Sequence, residues 1–513
     1  MNDWTDGYVA EVNYPYGYYR ELNPTFQSFV QLVHGYEGVT SYNQLQYCEL
    51  GCGQGVTTNL LAASNPHIKF YATDFNPSQI VGAEKLARQA GLENIHFYDS
   101  SFEDFLSEPT LPRKFDVICL HGIYSWVSER NRSLIIEFIK SRLQPGGVVY
   151  ISYNALPGWS VAMPLRQLFA EFKKNVAGPI HSRLTASIDF VESVQQAKAR
   201  YFSSNPSLTG RLDQLRVQDK DYLSHEYLNK DWTPFYITDV DSDLSAAKLS
   251  FSASAEPLSY VLAHTLTDEQ KNIVDSLPNI VQKELIKDYI FNNQFRKDLF
   301  VKGIIKLGSI DERDFWLNQR IVLIRPKEDI AMSVGTQFGE LALRKEIYEP
   351  LIKSLPNGPI LVKDILKNPE VARLSWNNIK QALSILFGAG HIEPCLPLKN
   401  EEKRLKSTRI LNYAIIQRAK QNADIQFLAS PVTGGGIFVA RFDQLFLLAI
   451  AEGLKTSSDW ARFVWNILKA EDQRLRRNGI VLTADEENLN ELNEQAFQFA
   501  GKTLPVLKWL QIV

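Results

Sequence analysis

Tyr47-Cys48-Glu49-Leu50-Gly51-Cys52-Gly53-Gln54-Gly55 is the stretch that decides the fold of the first part of this chain. An apolar run delivers an acid and then meets three glycines at alternating positions, and the next apolar run ends on a second acid, Asp74. Glycines in this setting let a helix begin close beside a ligand, where free backbone N–H groups can meet polar atoms. Dinucleotide sites use Gly-x-Gly-x-x-Gly to seat a pyrophosphate on a helix N-terminus. Here the pattern is Glu-x-Gly-x-Gly-x-Gly, and Val56 stands where the third dinucleotide glycine would be. Taken alone, the glycines are also compatible with a plain strand-to-helix turn.

Strand and helix patterns alternate on either side of this stretch. Residues 44–50 read as a buried strand, 56–63 as a helix opened by the glycines, and 68–73 as a second strand. Pro77 starts a helix that Gly91 ends. Residues 95–98 form a third strand, and 115–120 a fourth that is almost continuously apolar, as a strand covered on both faces should be. A helix over 129–143 stops at Pro145-Gly146-Gly147, and 148–153 is the fifth strand. The alternation predicts an α/β fold with a doubly wound Rossmann-like sheet.

At 513 residues the chain is too long for one core. Residues 1–165 are read as a nucleotide-binding domain and 166–335 as a helical insertion. Within the insertion, 249–254 and 320–324 are strand-like and are expected to return to the first sheet. Residues 336–400 are read as a winged-helix-like domain and 401–513 as a mixed α/β C-terminal domain. A net charge of −3 gives no bulk attraction to nucleic acid or to an anionic membrane. The candidate recognition helix, 375–387, carries Lys380 as its only charge, which argues against DNA. Gly434-Gly435-Gly436 lacks the Lys and Ser/Thr of a phosphate loop and reads as a turn. Cys48, Cys52, Cys119 and Cys395 show no disulfide or zinc spacing, so no metal is expected. The N-terminus has no basic and apolar leader and no apolar run is long enough for a span, so the expectation is a soluble cytoplasmic protein.

Glu49, the three glycines and Asp74 together resemble the first motif of class I S-adenosylmethionine methyltransferases. The resemblance implies S-adenosylmethionine as cofactor, with its amino acid end near Glu49, Gly51, Cys52 and Gly53 and its ribose hydroxyls on Asp74. It places Phe75 over the adenine and Ser101 and Phe102 beside it, with Tyr19 and His121 completing the cofactor set. Ser101 departs from the Asp that the family usually has there. Leu143-Gln144-Pro145-Gly146-Gly147 matches the family's usual lead into the fifth strand.

Aromatic segments leave the fourth and fifth strands at their carboxyl ends, where ligands bind in open α/β sheets: His121-Gly122-Ile123-Tyr124-Ser125-Trp126 and Tyr153-Asn154-Ala155-Leu156-Pro157-Gly158-Trp159. Tyr14, Tyr16, Tyr18 and Tyr19 precede Asn23-Pro24, and His225-Glu226-Tyr227 and Trp232 repeat the combination of polar tip and aromatic wall. With Leu428 to Gly436, these segments are similar to bacterial methyltransferases carrying a methyltransferase regulatory domain, whose best-known members are rickettsial protein-lysine methyltransferases that modify outer-membrane protein. That resemblance implies lysine N-methylation of a protein, an outer-membrane protein being the acceptor it suggests. The candidate catalytic residues are His121, Tyr124, Tyr153, Asn154, His225 and Glu226; the candidate acceptor-binding residues are Tyr14, Tyr16, Trp126, Trp159 and Trp232. Each aromatic has core packing as its alternative. Two other functions stay open, methyl transfer to oxygen or nitrogen of a small molecule or glycan, and a non-catalytic cofactor-binding adaptor. No nucleic acid and no membrane insertion are expected, and the insertion after Met163 serves either a homodimer or packing within the chain.

Overall fold

A computed structural model describes residues 4–39, 44–336 and 339–513. Strand β1 (Gln46–Leu50) lies in the middle of a seven-stranded sheet of order β3-β2-β1-β4-β5-β7-β6. The other strands are β2 (Lys69–Asp74), β3 (Ile95–Asp99), β4 (Phe115–Leu120), β5 (Leu143–Asn154), β6 (Ser250–Ser254) and β7 (Phe295–Val301). Strands β1 to β5 run parallel, while β7 is antiparallel to both β5 and β6. The order reverses between β1 and β4, which opens a crevice beyond their carboxyl ends.

Both faces of the sheet are covered, which is why its strands read as apolar runs. Tyr47, Phe70, Val117 and Tyr150 point into one core with Phe26 and Phe29 of α1 (Pro24–Val33) and Leu61 of α2 (Val56–Ser64). Their neighbours Cys48, Tyr71, Ile118 and Val149 point into the other, against Ile135, Phe138 and Ile139 of a helix at Glu129–Arg142. The fold class predicted from the sequence is therefore the one observed.

Of the two late strands expected to return to this sheet, only one does. Ser250–Ser254 forms its edge, whereas Arg320–Leu323 pairs antiparallel with 360–361 and 392–394 in a separate three-stranded sheet. The true neighbour of β5 is β7, which the sequence reading missed. Its run Phe-Arg-Lys-Asp-Leu-Phe-Val carries charges that hide a strand pattern. Arg296 and Asp298 are nonetheless buried, because Arg296 bonds Asp298 at 2.8 Å, Asp288 at 2.7 Å and Glu284 at 3.2 Å. A buried guanidinium is tolerated when its donors are met in this way.

Helices between Met163 and Leu228 leave the carboxyl end of β5 and build a small core of their own around Leu165, Phe169, Leu184, Leu212 and Leu223, joined by Val9 and Trp159. Helix Trp376–Gly388 packs Phe387 against Phe26 and Phe29, and its Lys380 pairs with Glu312 at 2.5 Å. The C-terminal part is mostly helical, with two short hairpins, and its core includes Val56 and Leu60 of α2. Gly434 and Gly435 lie in the turn of one hairpin, and Gly436 opens its second strand. At that turn a Cβ on Gly435 would fall 2.2 Å from the Tyr18 hydroxyl, so the glycine seats the N-terminal segment. No helix among the described residues is long and apolar enough to cross a membrane.

Candidate functional site

Past Leu50 the chain turns through Gly51 at φ +77°, where a Cβ would lie 2.2 Å from Ile123 Cδ1. The amides of Gly51 and Cys52 donate to Thr73 O at 2.8 and 3.0 Å, tying the turn to the end of β2. Asp74 is thereby brought against the glycine loop. Its Oδ2 accepts from Gly53 N at 2.9 Å and its Oδ1 from Asn76 N at 3.0 Å. Glu49, at the end of β1, accepts from the Thr58 hydroxyl at 2.5 Å. Burial pushes the Glu49 carboxyl up to about 8, and pushes Asp74 up to about 6 against the pull of the two amides.

These residues line a cavity of about 650 Å³. Phe75 forms a wall with Trp4 and Tyr8 of the N-terminal segment, at ring separations of 5.7 and 5.6 Å. That segment is strapped down where Val9 N donates to Asn229 Oδ1 at 2.7 Å and Lys230 N to Gly7 O at 3.1 Å. Ser101 lines the cavity too, but its hydroxyl caps the helix at Phe102–Ser107, accepting from Asp104 N and donating to Asp104 Oδ2 at 2.7 Å. Two carboxylates and an aromatic wall in one cavity have the chemistry needed for an ammonium, a diol and a purine.

A second cavity of about 560 Å³ adjoins the first. Tyr14, Tyr19, His121, Gly122 and Trp126 line both. The Tyr14 hydroxyl donates to that of Tyr19, and Tyr19 stacks on His121 with ring centroids 3.7 Å apart. His121 Nδ1 meets the Tyr150 hydroxyl at 2.8 Å. Burial, helped by the Lys297 ammonium, pushes the imidazole down to about 3. Glu226 also lines the second cavity, and burial raises it to about 7 against the pull of Arg166 and Arg211. Asn154 is also in this wall, and its Nδ2 has no hydrogen-bond partner among the described residues.

The sequence candidates divide cleanly. Glu49, Gly51, Cys52, Gly53, Asp74, Phe75, Ser101 and Phe102 face the first cavity, and Asn154, Trp159 and Glu226 the second. Five candidates reach neither. Tyr124 is fully buried and donates to Asp243 at 2.6 Å, and Tyr153 is fully buried and donates to Asp298 at 2.7 Å. Both point from the strand ends into the core instead of out of the crevice. His225 lies behind the N-terminal strap, its ring 5.5 Å from Tyr8 and 5.2 Å from Tyr14. Tyr16 packs under the Arg418 guanidinium and accepts from it at 3.1 Å. Trp232 supports Trp159 from behind, 5.0 Å away, with Arg166 over its other side.

Sequence reasoning missed Trp4 and Tyr8 because the strap has no periodicity. It missed Arg211, Gln294 and Lys297 because they arrive from the insertion and from the unrecognised β7. The aromatic content of the first eight residues was the available signal for the strap.

Comparison with known proteins fits this geometry. Residues 42–205 match a methyltransferase domain and residues 219–302 a predicted methyltransferase regulatory domain. The uncharacterized protein sll1526 of Synechocystis sp. is 39% identical over 509 residues, covering 99% of both chains. The uncharacterized protein RP789 of Rickettsia prowazekii is 26% identical over 337 residues, covering 64% of this chain and 59% of its own. Among solved structures, PKMT2 from Rickettsia typhi in complex with AdoHcy superposes with a TM-score of 0.70 at 16% identity, over 98% of this chain and all of that one, which shows the shared fold. The chain belongs to the S-adenosylmethionine-dependent methyltransferases that carry a predicted methyltransferase regulatory domain.

Proposed function

We propose that this enzyme methylates the side-chain amine of a lysine in a protein acceptor, with the cofactor in the first cavity and the amine in the second. The observation that carries the reading is the junction of the two cavities at Tyr19, His121 and Trp126, with a buried carboxylate, Glu226, in the wall beyond it. S-adenosylmethionine supplies a methyl group on a positively charged sulfur, which a neutral amine can attack. Asp74 receives one amide on each oxygen and keeps lone pairs for the ribose hydroxyls. Glu49 gives up its proton to hold the ammonium of the amino acid end. Phe75, Trp4 and Tyr8 enclose the adenine, while the committed hydroxyl of Ser101 leaves the adenine edge to Phe102 and the backbone.

A lysine amine must lose its proton before it attacks, at a cost of about 4.6 kcal/mol at pH 7 in water. Aromatic walls tolerate the amine in either charge state and exclude water around it. Of the proton acceptors read from the sequence, Glu226 is the one matched to the task, because a group near 7 can take the proton at neutral pH. His121, held near 3, cannot keep it, and acts instead as a wall that fixes Tyr19. The lysine acceptor is supported by these walls, by the resemblance to the rickettsial protein-lysine methyltransferases and by the fold shared with PKMT2. An outer-membrane protein is the acceptor that resemblance favours.

The test is incubation of the purified protein with radiolabelled cofactor and a cell-envelope extract. Base-stable label in a protein band, found on lysine by mass spectrometry, is the expected result. Label confined to small molecules or glycans overturns the lysine reading, and no transfer despite tight cofactor binding replaces it with an adaptor.

A further inference from the structure

We infer that the target lysine has an acidic side chain beside it in sequence, and that Arg211 selects it; this rests on the second cavity being the acceptor side, as proposed above. Arg211, Gln214, Leu215 and Gln218 of helix Ser207–Val217 and its C-cap fall at one-turn spacing and face that cavity together. The Arg211 guanidinium lies 4.2 Å over the Trp159 ring. Its hydrogen bonds go to neutral acceptors, Gln294 Oε1 at 2.7 Å and the Tyr227 hydroxyl at 3.3 Å. Among the described residues no carboxylate forms an ion pair with it.

The other cations nearby are treated differently. Lys297, in the same wall, is paired with Glu21 at 2.6 Å and Glu256 at 2.9 Å. Arg216, on the outer side of the same helix, is paired with Asp189 and Glu192, both at 2.6 Å. Arg211 alone of the three is left with a planar face backed by an indole and with donors to spare. A guanidinium so placed binds a carboxylate through parallel N–H···O bonds. Glu226, the carboxylate in the cavity wall, is hydrogen-bonded by the Tyr222 hydroxyl and is shared electrostatically between Arg166 and Arg211, but it forms no ion pair with Arg211 among the described residues. With Glu226 near but not bonded to it, Arg211 keeps N–H donors for a carboxylate brought by the acceptor, and Gln214 and Gln218 further along the same face offer amides to a peptide backbone.

The test uses fluorescein-labelled peptides with a central lysine flanked by Glu, Gln or Lys, each with an amidated or a free C-terminus. Binding to the full chain saturated with S-adenosylhomocysteine is read by anisotropy, and methylation of the same peptides by mass spectrometry. The Glu peptide should bind roughly tenfold tighter than the Gln peptide, the gain expected of a charge-assisted pair. Arg211→Gln should abolish that preference, and Arg211→Glu should reverse it toward a Lys-flanked peptide, with thermal melting and S-adenosylhomocysteine affinity showing each variant folded. Equal binding of Glu and Gln peptides, or a preference that survives Arg211→Gln, overturns the inference. So does a preference that follows the free C-terminus and not the flanking side chain. Peptides that show the Glu preference but are never methylated overturn the lysine reading and leave the carboxylate site standing. Lysine methylation without the preference does the opposite, and peptides that do not bind at all overturn both.

Discussion

Tyr19 stacks on His121 with centroids 3.7 Å apart and planes 28° from parallel, where the two cavities meet. Separate elements of the fold hold this pair. Tyr19 immediately precedes the turn into α1, and its amide donates to Thr57 Oγ1 of α2 at 3.2 Å. His121 leaves the end of β4 and is fixed by the Tyr150 hydroxyl of β5. On the proposed route the methyl group crosses beside this stack.

Asp74→Ala should weaken S-adenosylmethionine binding about 10- to 100-fold. The carboxylate gives charge-assisted bonds of about 1.5–3 kcal/mol, and about 1.4 kcal/mol is a factor of ten. The substitution also frees the Gly53 amide from its partner. Titration calorimetry measures the effect, and unchanged affinity would remove Asp74 from the site.

Glu49 links cofactor binding to stability. An exposed Glu titrates at about 4.3, whereas burial holds Glu49 near 8. Between those values the folded apo-protein binds more protons than the unfolded chain, so its stability falls as pH rises from about 5 to 8 and then levels off. Asp74, raised to about 6, adds to the lower part of that slope with the same sign. Glu49→Gln should flatten the decline, raise the apo-protein Tm at pH 8.5 and weaken cofactor binding. A scanning calorimetry series across pH with an unaltered slope would contradict this.

Glu226 must be ionised to take a proton, so kcat/KM should rise with pH through an inflection near 7 before the intrinsic lysine titration contributes. Glu226→Gln should remove the inflection and lower the rate about 100-fold, within the range of general base catalysis. Cofactor affinity should be unchanged. Pre-steady-state methyl transfer across pH 6–9 provides the comparison, and a retained inflection would assign it to another group.

Tyr124→Phe and Tyr153→Phe should cost stability and spare catalysis. Each removes a hydroxyl that donates to a carboxylate, Asp243 or Asp298, for a loss of about 1–3 kcal/mol. Denaturant unfolding should show the loss, while turnover per folded molecule stays within about twofold. A collapse of turnover at full stability would return them to the reaction.

The division between what the sequence disclosed and what it hid follows physical lines. The glycine loop, Asp74 and the five parallel strands were legible because local rules govern them: glycine turns, both-face burial and strand-helix alternation. Strand β7 was hidden because Arg296, Lys297 and Asp298 interrupt its apolar run, and only the fold supplies their partners. Tyr124 and Tyr153 looked like pocket walls because strand-end position is readable but side-chain direction is not. Arg211 was invisible as a cavity residue, since its distance in sequence from Trp159 gives no hint that its guanidinium covers that ring.

The most direct test is a crystal structure with S-adenosylhomocysteine and a lysine peptide bound together. The account predicts the sulfur in the first cavity facing the Tyr19–His121 stack, and the lysine amine in line beyond it on the side of Glu226. A sulfur turned away from that junction, or an amine reaching it by any path other than the second cavity, would contradict it.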